Sequence, residues 1–209
     1  MICRCETESS MRLANVCTIR LGYTARAKLE ASSHGVLAIQ LRDMAEGGVD
    51  STGLSRVLIK ESVDRYLVQA GDVLFRSRGD RNSAVALDDR FAEPAVAVSP
   101  LMVLRPRREI ISPDYLAWAI NQPEAQRHFD IAARGTSIRM VPKASLDELH
   151  IDVPDLPTQR RIVAAHSLAA REYALVHLLA DAKQNLINQK LAEHAKSKRT
   201  HTTQKESRT

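Results

Sequence analysis

The most informative pattern of hydrophobic and polar positions lies between Ser145 and Val163. Leu146, Leu149, Ile151 and Val153 form an apolar series that tightens into alternation, which predicts a short turn feeding a half-buried strand. Pro154 and Pro157 stop that strand and hold the backbone extended, because proline fixes φ and restricts the residue before it. Thr158 is read as the N-cap of a helix, and a run without proline or glycine follows it to the last residue. The helix is predicted over 158–196, about 57 Å at about 1.5 Å per residue. Ile162, Ala165, Leu168, Leu175, Leu179, Ala182 and Leu186 give it an apolar stripe, and from Ala165 onward these follow the three–four alternation of a coiled-coil seam. Glu172 and Gln189 interrupt the seam. A strand, a rigid elbow and one long helix mount a domain on a rod. The stripe calls for a partner helix, since the sequence holds no second long helix to cover it.

Upstream the patterning is β-rich. Strands are expected at Val36–Leu41, Arg56–Lys60, Ala84–Leu87, Ala95–Val98 and Leu101–Leu104, with Tyr66–Phe75 reading as strand, Gly-Asp turn, strand. Pro113 opens a helix through about Ala133 with Ser112 as its cap, and a strand follows Gly135 over Ile138–Val141. The fold class is therefore α+β, a mixed α/β domain followed by one long coiled-coil-type helix. Residues 1–12 read as an N-terminal extension with Met11 a candidate start, 13–157 as the domain, 158–196 as the helix and 197–209 as a disordered basic tail.

Composition and charge narrow this less than patterning does. The chain has 209 residues, 44% of them hydrophobic, which allows a core, and a net charge of +5. Residues 196–209 carry five Lys or Arg against one Glu, so the tail holds +4 and the rest is near balance. Overall charge is thus a weak argument for nucleic acid, and local clusters matter more. No apolar run of 18 residues and no signal-like N-terminus is found, so the expectation is a cytoplasmic protein without a membrane partner. Cys3, Cys5 and Cys17 are read as free thiols, since no second Cys or His pair follows at ligand spacing. No metal site is expected. The chain also lacks an Asn- or Asp-Pro-Pro-aromatic motif for base methylation and a glycine-rich strand-to-helix turn for a nucleotide or methyl donor. His166, His177 and His194 are scattered along the long helix. No catalytic residue is proposed, and the expectation is a reader and not an enzyme.

The Ser145–Val163 stretch resembles the signature that closes each target-recognition domain in the DNA-specificity subunits of type I restriction–modification systems. The matching positions are Leu146, Leu149, Ile151, Val153, Pro154, Leu156, Pro157, Gln159, Ile162 and Val163. Further pieces match in order: Ile39, Arg42 and Asp43; Gly71-Asp72-Val73-Leu74-Phe75; Leu101–Pro106; Pro113–Leu116; and Gly135–Val141. Asp155 between the prolines and Arg160 in place of an acidic residue are departures that leave the motif readable. A usual subunit of this kind carries two recognition domains and two spacer helices that pair antiparallel, whereas this chain has one of each. The resemblance implies a half-length specificity subunit, pairing through its helix with a second copy of itself or another specificity chain. It would then read a bipartite site in double-stranded DNA. It also implies a DNA methyltransferase subunit and a restriction subunit as partners. S-adenosylmethionine and ATP would bind those subunits, with no cofactor on this chain. Two alternatives stay open: a recognition module of a methylation-based defence system without restriction, and a non-DNA coiled-coil assembly protein.

Phosphates attract Arg and Lys, while base edges are read by Arg, Asn, Gln, Ser and Thr. Arg76, Arg78, Arg81, Asn82 and Ser83 after the Gly-Asp turn are therefore candidate DNA contacts, as are Arg134, Thr136, Ser137, Arg139 and Lys143. Arg105, Arg107 and Arg108 are weaker candidates at a strand end, and Asp72 is read as tying its own turn.

Overall fold

The apolar run Leu101–Leu104 is central to the architecture and explains most of it. A computed structural model describes residues 10–45, 48–49, 53–79, 82–89, 91, 93–133 and 140–206, with side chains described as far as 195. The chain divides into two units, Met1–Val163 and Ala164–Thr209. In chain order, β1 (Ser10–Arg12) and a one-turn helix α1 (Leu13–Val16) lead into β2 (Cys17–Leu21), β3 (Ala31–Ile39), β4 (Met44–Ala45) and β5 (Gly48–Val49). Then come β6 (Ser55–Val57), β7 (Leu67–Val68), β8 (Val73–Arg76), β9 (Ser83–Ala86), β10 (Ala95–Ala97) and β11 (Leu101–Pro106). Helices α2 (Pro113–Ile120), α3 (Pro123–Ala132) and α4 (Lys143–Glu148), strand β12 (His150–Asp152) and helix α5 (Leu156–Glu206) follow.

Strand β11 lies inside an antiparallel sheet of order β2-β11-β8-β9, with Val103 opposite Leu74 and Leu104 opposite both Val73 and Ile19. Its run is apolar without alternation because both of its faces are covered, the usual cause of such a pattern. Met102 and Leu104 point into one core with Val73, Phe75, Leu116, Ile120, Phe129 and Leu146. Leu101 and Val103 point into a second core with Leu74, Ile39, Val68, Ala95 and Ala97. That second core is closed by a sheet of order β6-β3-β10-β7, in which β10 runs parallel to β3 and antiparallel to β7. The first unit is thus layered as helices, sheet and second sheet, an α+β arrangement.

Several expectations change. The helix predicted from Pro113 to about Ala133 is two helices, because Pro123 forces Gln122 into an extended conformation and α2 ends at Ile120. Ser112 does cap α2, accepting the Tyr115 amide at 3.3 Å with Pro113 in the first turn. Residues 10–12 are no extension: β1 pairs antiparallel with β12, Met11 opposite Ile151. The long helix begins at Leu156, and its cap is Asp155, whose Oδ1 accepts the Thr158 amide at 2.9 Å. Pro157 fits the first turn, where an N–H has no intrahelical partner in any case. Hydrogen bonding from Thr158 holds the Asp155 carboxyl below its usual range. The helix continues to Glu206, ten residues beyond the predicted end at Lys196 and into the segment read as a disordered tail. Nothing in that stretch breaks a helix, and basic residues suit a helix C-terminus.

The Gly71-Asp72 turn carries more than its own local bond. Gly71 adopts φ +87°, where a Cβ would also collide with the guanidinium of Arg108. Asp72 is buried and accepts the Gln69 amide at 3.1 Å. Its two oxygens also meet Arg105 at 2.7 Å each, an ion pair spanning from β11 to the turn before β8. Arg108 donates to the Ala70 carbonyl at 2.9 Å. Hydrogen bonding to Asp72 raises the Arg105 pKa against the opposing effect of burial. Arg105→Ala is expected to cost about 2 kcal/mol in urea unfolding, because Asp72 keeps its charge and loses both strong bonds. Neutralising both partners, as Asp72→Asn with Arg105→Met, should recover most of that loss.

Candidate nucleic-acid interface and the elbow

Two stretches far apart in sequence, Ser77–Arg78 and Met140–Val141, meet at the end of β8. Arg78 forms an antiparallel bridge with Met140, and the Val141 amide donates to the Ser77 carbonyl at 2.8 Å. The loop after the Gly-Asp turn is thereby held beside the chain that leaves the Arg134–Arg139 segment. Ser77, buried beneath them, donates its hydroxyl to the Pro100 carbonyl at 2.5 Å. Gly79 turns the loop at φ +119°, a conformation that side chains resist.

The predicted contact residues fare differently. Arg78 is exposed, whereas Arg76 is half-buried and its Nε donates back to the Arg78 carbonyl at 3.3 Å. Asn82 is turned inward: it is 4% exposed and donates its amide to the Arg76 carbonyl at 3.0 Å. It closes the loop from within, so its side chain is spent on the backbone. Ser83 lies in β9 opposite Arg76 and is half-buried. Lys143 opens α4 and is paired one turn on with Asp147 at 2.6 Å. Arg81, Arg134, Thr136, Ser137 and Arg139 lie outside the described residues. Arg105 and Arg108 serve the Asp72 turn described above.

The elbow is built around a side chain whose role the sequence did not reveal. Gln159, in the first turns of α5, is fully buried. Its Oε1 accepts the Ser112 amide at 2.9 Å, and its Nε2 donates to the carbonyls of Ile110 and Pro154, both at 2.8 Å. Tyr115 adds a hydroxyl bond to the Asp152 carbonyl at 2.8 Å. Together these fasten the last strand, the start of α2 and the start of α5. Ile162 and Val163 pack on the adjoining core. Beyond Val163 the picture changes: every described side chain from Ala164 to Ala195 is exposed, Leu168, Leu175, Leu179 and Leu186 among them. Ala165 and Ala182 lie on the same exposed helix. No helix of the described residues is long and apolar enough to cross a membrane, and no metal-ligand cluster is found among them.

A family model described as the type I restriction modification DNA specificity domain matches residues 6–167. The chain belongs to this family. The match covers the first unit and the elbow, which gives the Gly-Asp turn and the buried Gln159 a context. Solved structures agree on the fold. A chain from a structure of type I restriction–modification complex assembly and conformational transition aligns with a TM-score of 0.61 at 21% identity, covering 80% of this chain and 39% of that one. The HsdS subunit from Thermoanaerobacter tengcongensis aligns at 0.56 and 21% identity, covering 79% of this chain and 38% of its own. The type I S subunit from M. genitalium aligns at 0.53 and 14% identity, with coverage of 77% and 38%. The chain therefore spans about two-fifths of the length of the solved chains it matches. No curated protein matches it.

Within this specificity-domain chain, Gln159→Leu would orphan one buried amide and leave two carbonyls without a donor. It is expected to cost about 3 kcal/mol, read from Trp118 fluorescence during urea unfolding. Gln159→Glu should cost at least as much, since a carboxylate would face two carbonyl oxygens. If both variants unfold at the wild-type midpoint, the clamp has no energetic role.

Proposed function

We propose that this chain is the sequence-specific DNA-binding specificity subunit of a type I restriction–modification complex. Its long helix pairs with a second specificity chain so that two recognition domains read a bipartite site. The assembled reader directs a methyltransferase subunit and a restriction subunit to that site and performs no catalysis itself. One observation carries the reading: a DNA specificity domain is followed directly by a helix whose leucine seam is bare. An exposed apolar stripe of this kind marks an interaction surface.

DNA contact is assigned to the surface around Arg78, which is bridged to Met140, with Arg76, Ser83 and Lys143 as further candidates; Arg81, Arg134, Thr136, Ser137 and Arg139, outside the described residues, are kept as candidates from the sequence. Arg78 is the best-placed phosphate ligand among the described residues of this loop, being exposed on a backbone pinned at both ends. Asn82 acts from beneath as a support.

The decisive measurement maps methylated motifs in cells with and without the gene. The expected result is loss of one split motif on deletion, and unchanged methylation sinks the proposal. In vitro, Arg78→Ala should weaken duplex binding across all sequences and reduce the slope of log K against log salt by about one. A chain that shows no salt-dependent binding to duplex DNA belongs to the assembly-protein class instead. Leu179→Asp should separate the paired species in light scattering while Trp118 fluorescence of the domain is unchanged.

A further inference from the structure

We propose that Met140 reads sequence: its side chain meets the C5-methyl group of a thymine in the major groove, while Arg78 beside it holds a neighbouring phosphate. The proposal rests on the DNA-reading function given above and deepens it by naming a residue for base discrimination. Arg78 and Met140 stand opposite each other in an antiparallel bridge. The Val141 amide donates to the Ser77 carbonyl, so this hydrogen bond flanks the pair and does not join its two members. Such a non-hydrogen-bonded pair is about 4.5 Å apart at Cα and projects both side chains from the same face. Burial agrees with that geometry. Ser77 and Val141 are buried on one face, whereas Arg78 is exposed and Met140 is 48% exposed on the other.

A single exposed apolar side chain has no meaning by itself. Leu21, Leu58 and Ile131 are as open to solvent as Met140 in the described part of the first unit, each on a separate segment. Met140 differs from them in its surroundings. Its cross-strand neighbour is an arginine, Arg76 lies half-buried in the same loop, and Lys143, paired with Asp147, follows three residues on. A protein or lipid partner calls for a broader apolar area. One apolar contact set among cations suits a polyanion that carries isolated methyl groups. In duplex DNA that group is the thymine methyl on the major-groove edge, and a two-stranded ribbon is narrow enough to enter there. The unbranched, polarisable thioether of methionine adapts to so small a target. The face beneath is fixed, since Val141 packs in the first core and the Ser77 hydroxyl is bonded to the Pro100 carbonyl. Met140 is thus presented on a backbone that needs little ordering before contact.

The test maps methylated motifs in cells whose gene carries Met140→Ala or Met140→Gln, with the urea-unfolding midpoint from Trp118 fluorescence as the control for folding. The expected result for Met140→Ala is a motif relaxed at one T·A position and unchanged elsewhere. Met140→Gln should move that position toward adenine, whose N6 and N7 pair with a side-chain amide. Duplexes carrying the mapped motif are then bound to the full chain with each thymine replaced in turn by deoxyuridine, which removes only the methyl group. The wild-type chain should lose about fourfold in affinity at that one position, the worth of one buried methyl group, and Met140→Ala should lose nothing there. A motif unchanged in both variants overturns the proposal and leaves the DNA-reading function standing. So does an equal loss at every position, the mark of a backbone or supporting contact. A changed motif without sensitivity to deoxyuridine means a wedge in the minor groove and overturns the thymine contact. Absence of any methylated motif with the wild-type gene removes the function proposed above, and this proposal with it.

Discussion

Everything that gives this molecule a mechanical character passes through the side chain of Gln159. An amide buried without partners would be costly, but here both ends are used and the three groups it binds belong to three different segments. The bonds are short-range and directional, so they fix geometry as well as contributing stability. Pro154 and Pro157 limit the backbone on either side of the clamp, and the Asp155 cap sets where the helix begins. A leucine in that place could fill the volume but could not tell the Ser112 amide from the Ile110 carbonyl. The clamp explains why a glutamine stands at the elbow of a chain in this family.

Above the elbow the same economy recurs with charge. Arg105 on the central strand reaches the turn that precedes its neighbour β8, so one ion pair ties that turn to the sheet. The loop that follows β8 departs from a fixed point, is bridged to Met140, and is closed from below by Asn82. If that loop meets DNA as proposed, its described anchors would lower the conformational entropy lost on binding. The apolar layers on both sides of β11 give that loop a stiff base.

The rod and the domain answer different physical demands. Up to Val163 most large apolar groups are buried within the unit, while the seam beyond Ala164 leaves its leucines more than half exposed. A bare apolar stripe of this kind marks an interaction surface. Belonging to the specificity-domain family gives the first unit its context. The second unit draws its meaning from its own periodicity.

The strand, the double-proline elbow, the long helix and the three–four seam were legible from residues alone. They rest on restricted dihedrals and on periods of two and 3.6, properties a chain carries locally. The Gly-Asp turn and the Ser112 cap were legible for the same reason. The helix end at Ile120 was missed although Pro123 signalled it, and Asp155 was passed over as cap for a residue three positions on. Other features had no local sign. That Leu101 and Met102 serve opposite cores, that Asp72 meets Arg105, that Asn82 turns inward and that Arg78 lies beside Met140 all depend on contacts between distant segments. So does the burial of Gln159, whose partners stand up to 49 positions away. Sequence alone determined which conformations each segment prefers. Only the tertiary structure decided which polar groups meet, because desolvation and hydrogen bonding are settled by neighbours in space and not by neighbours along the chain.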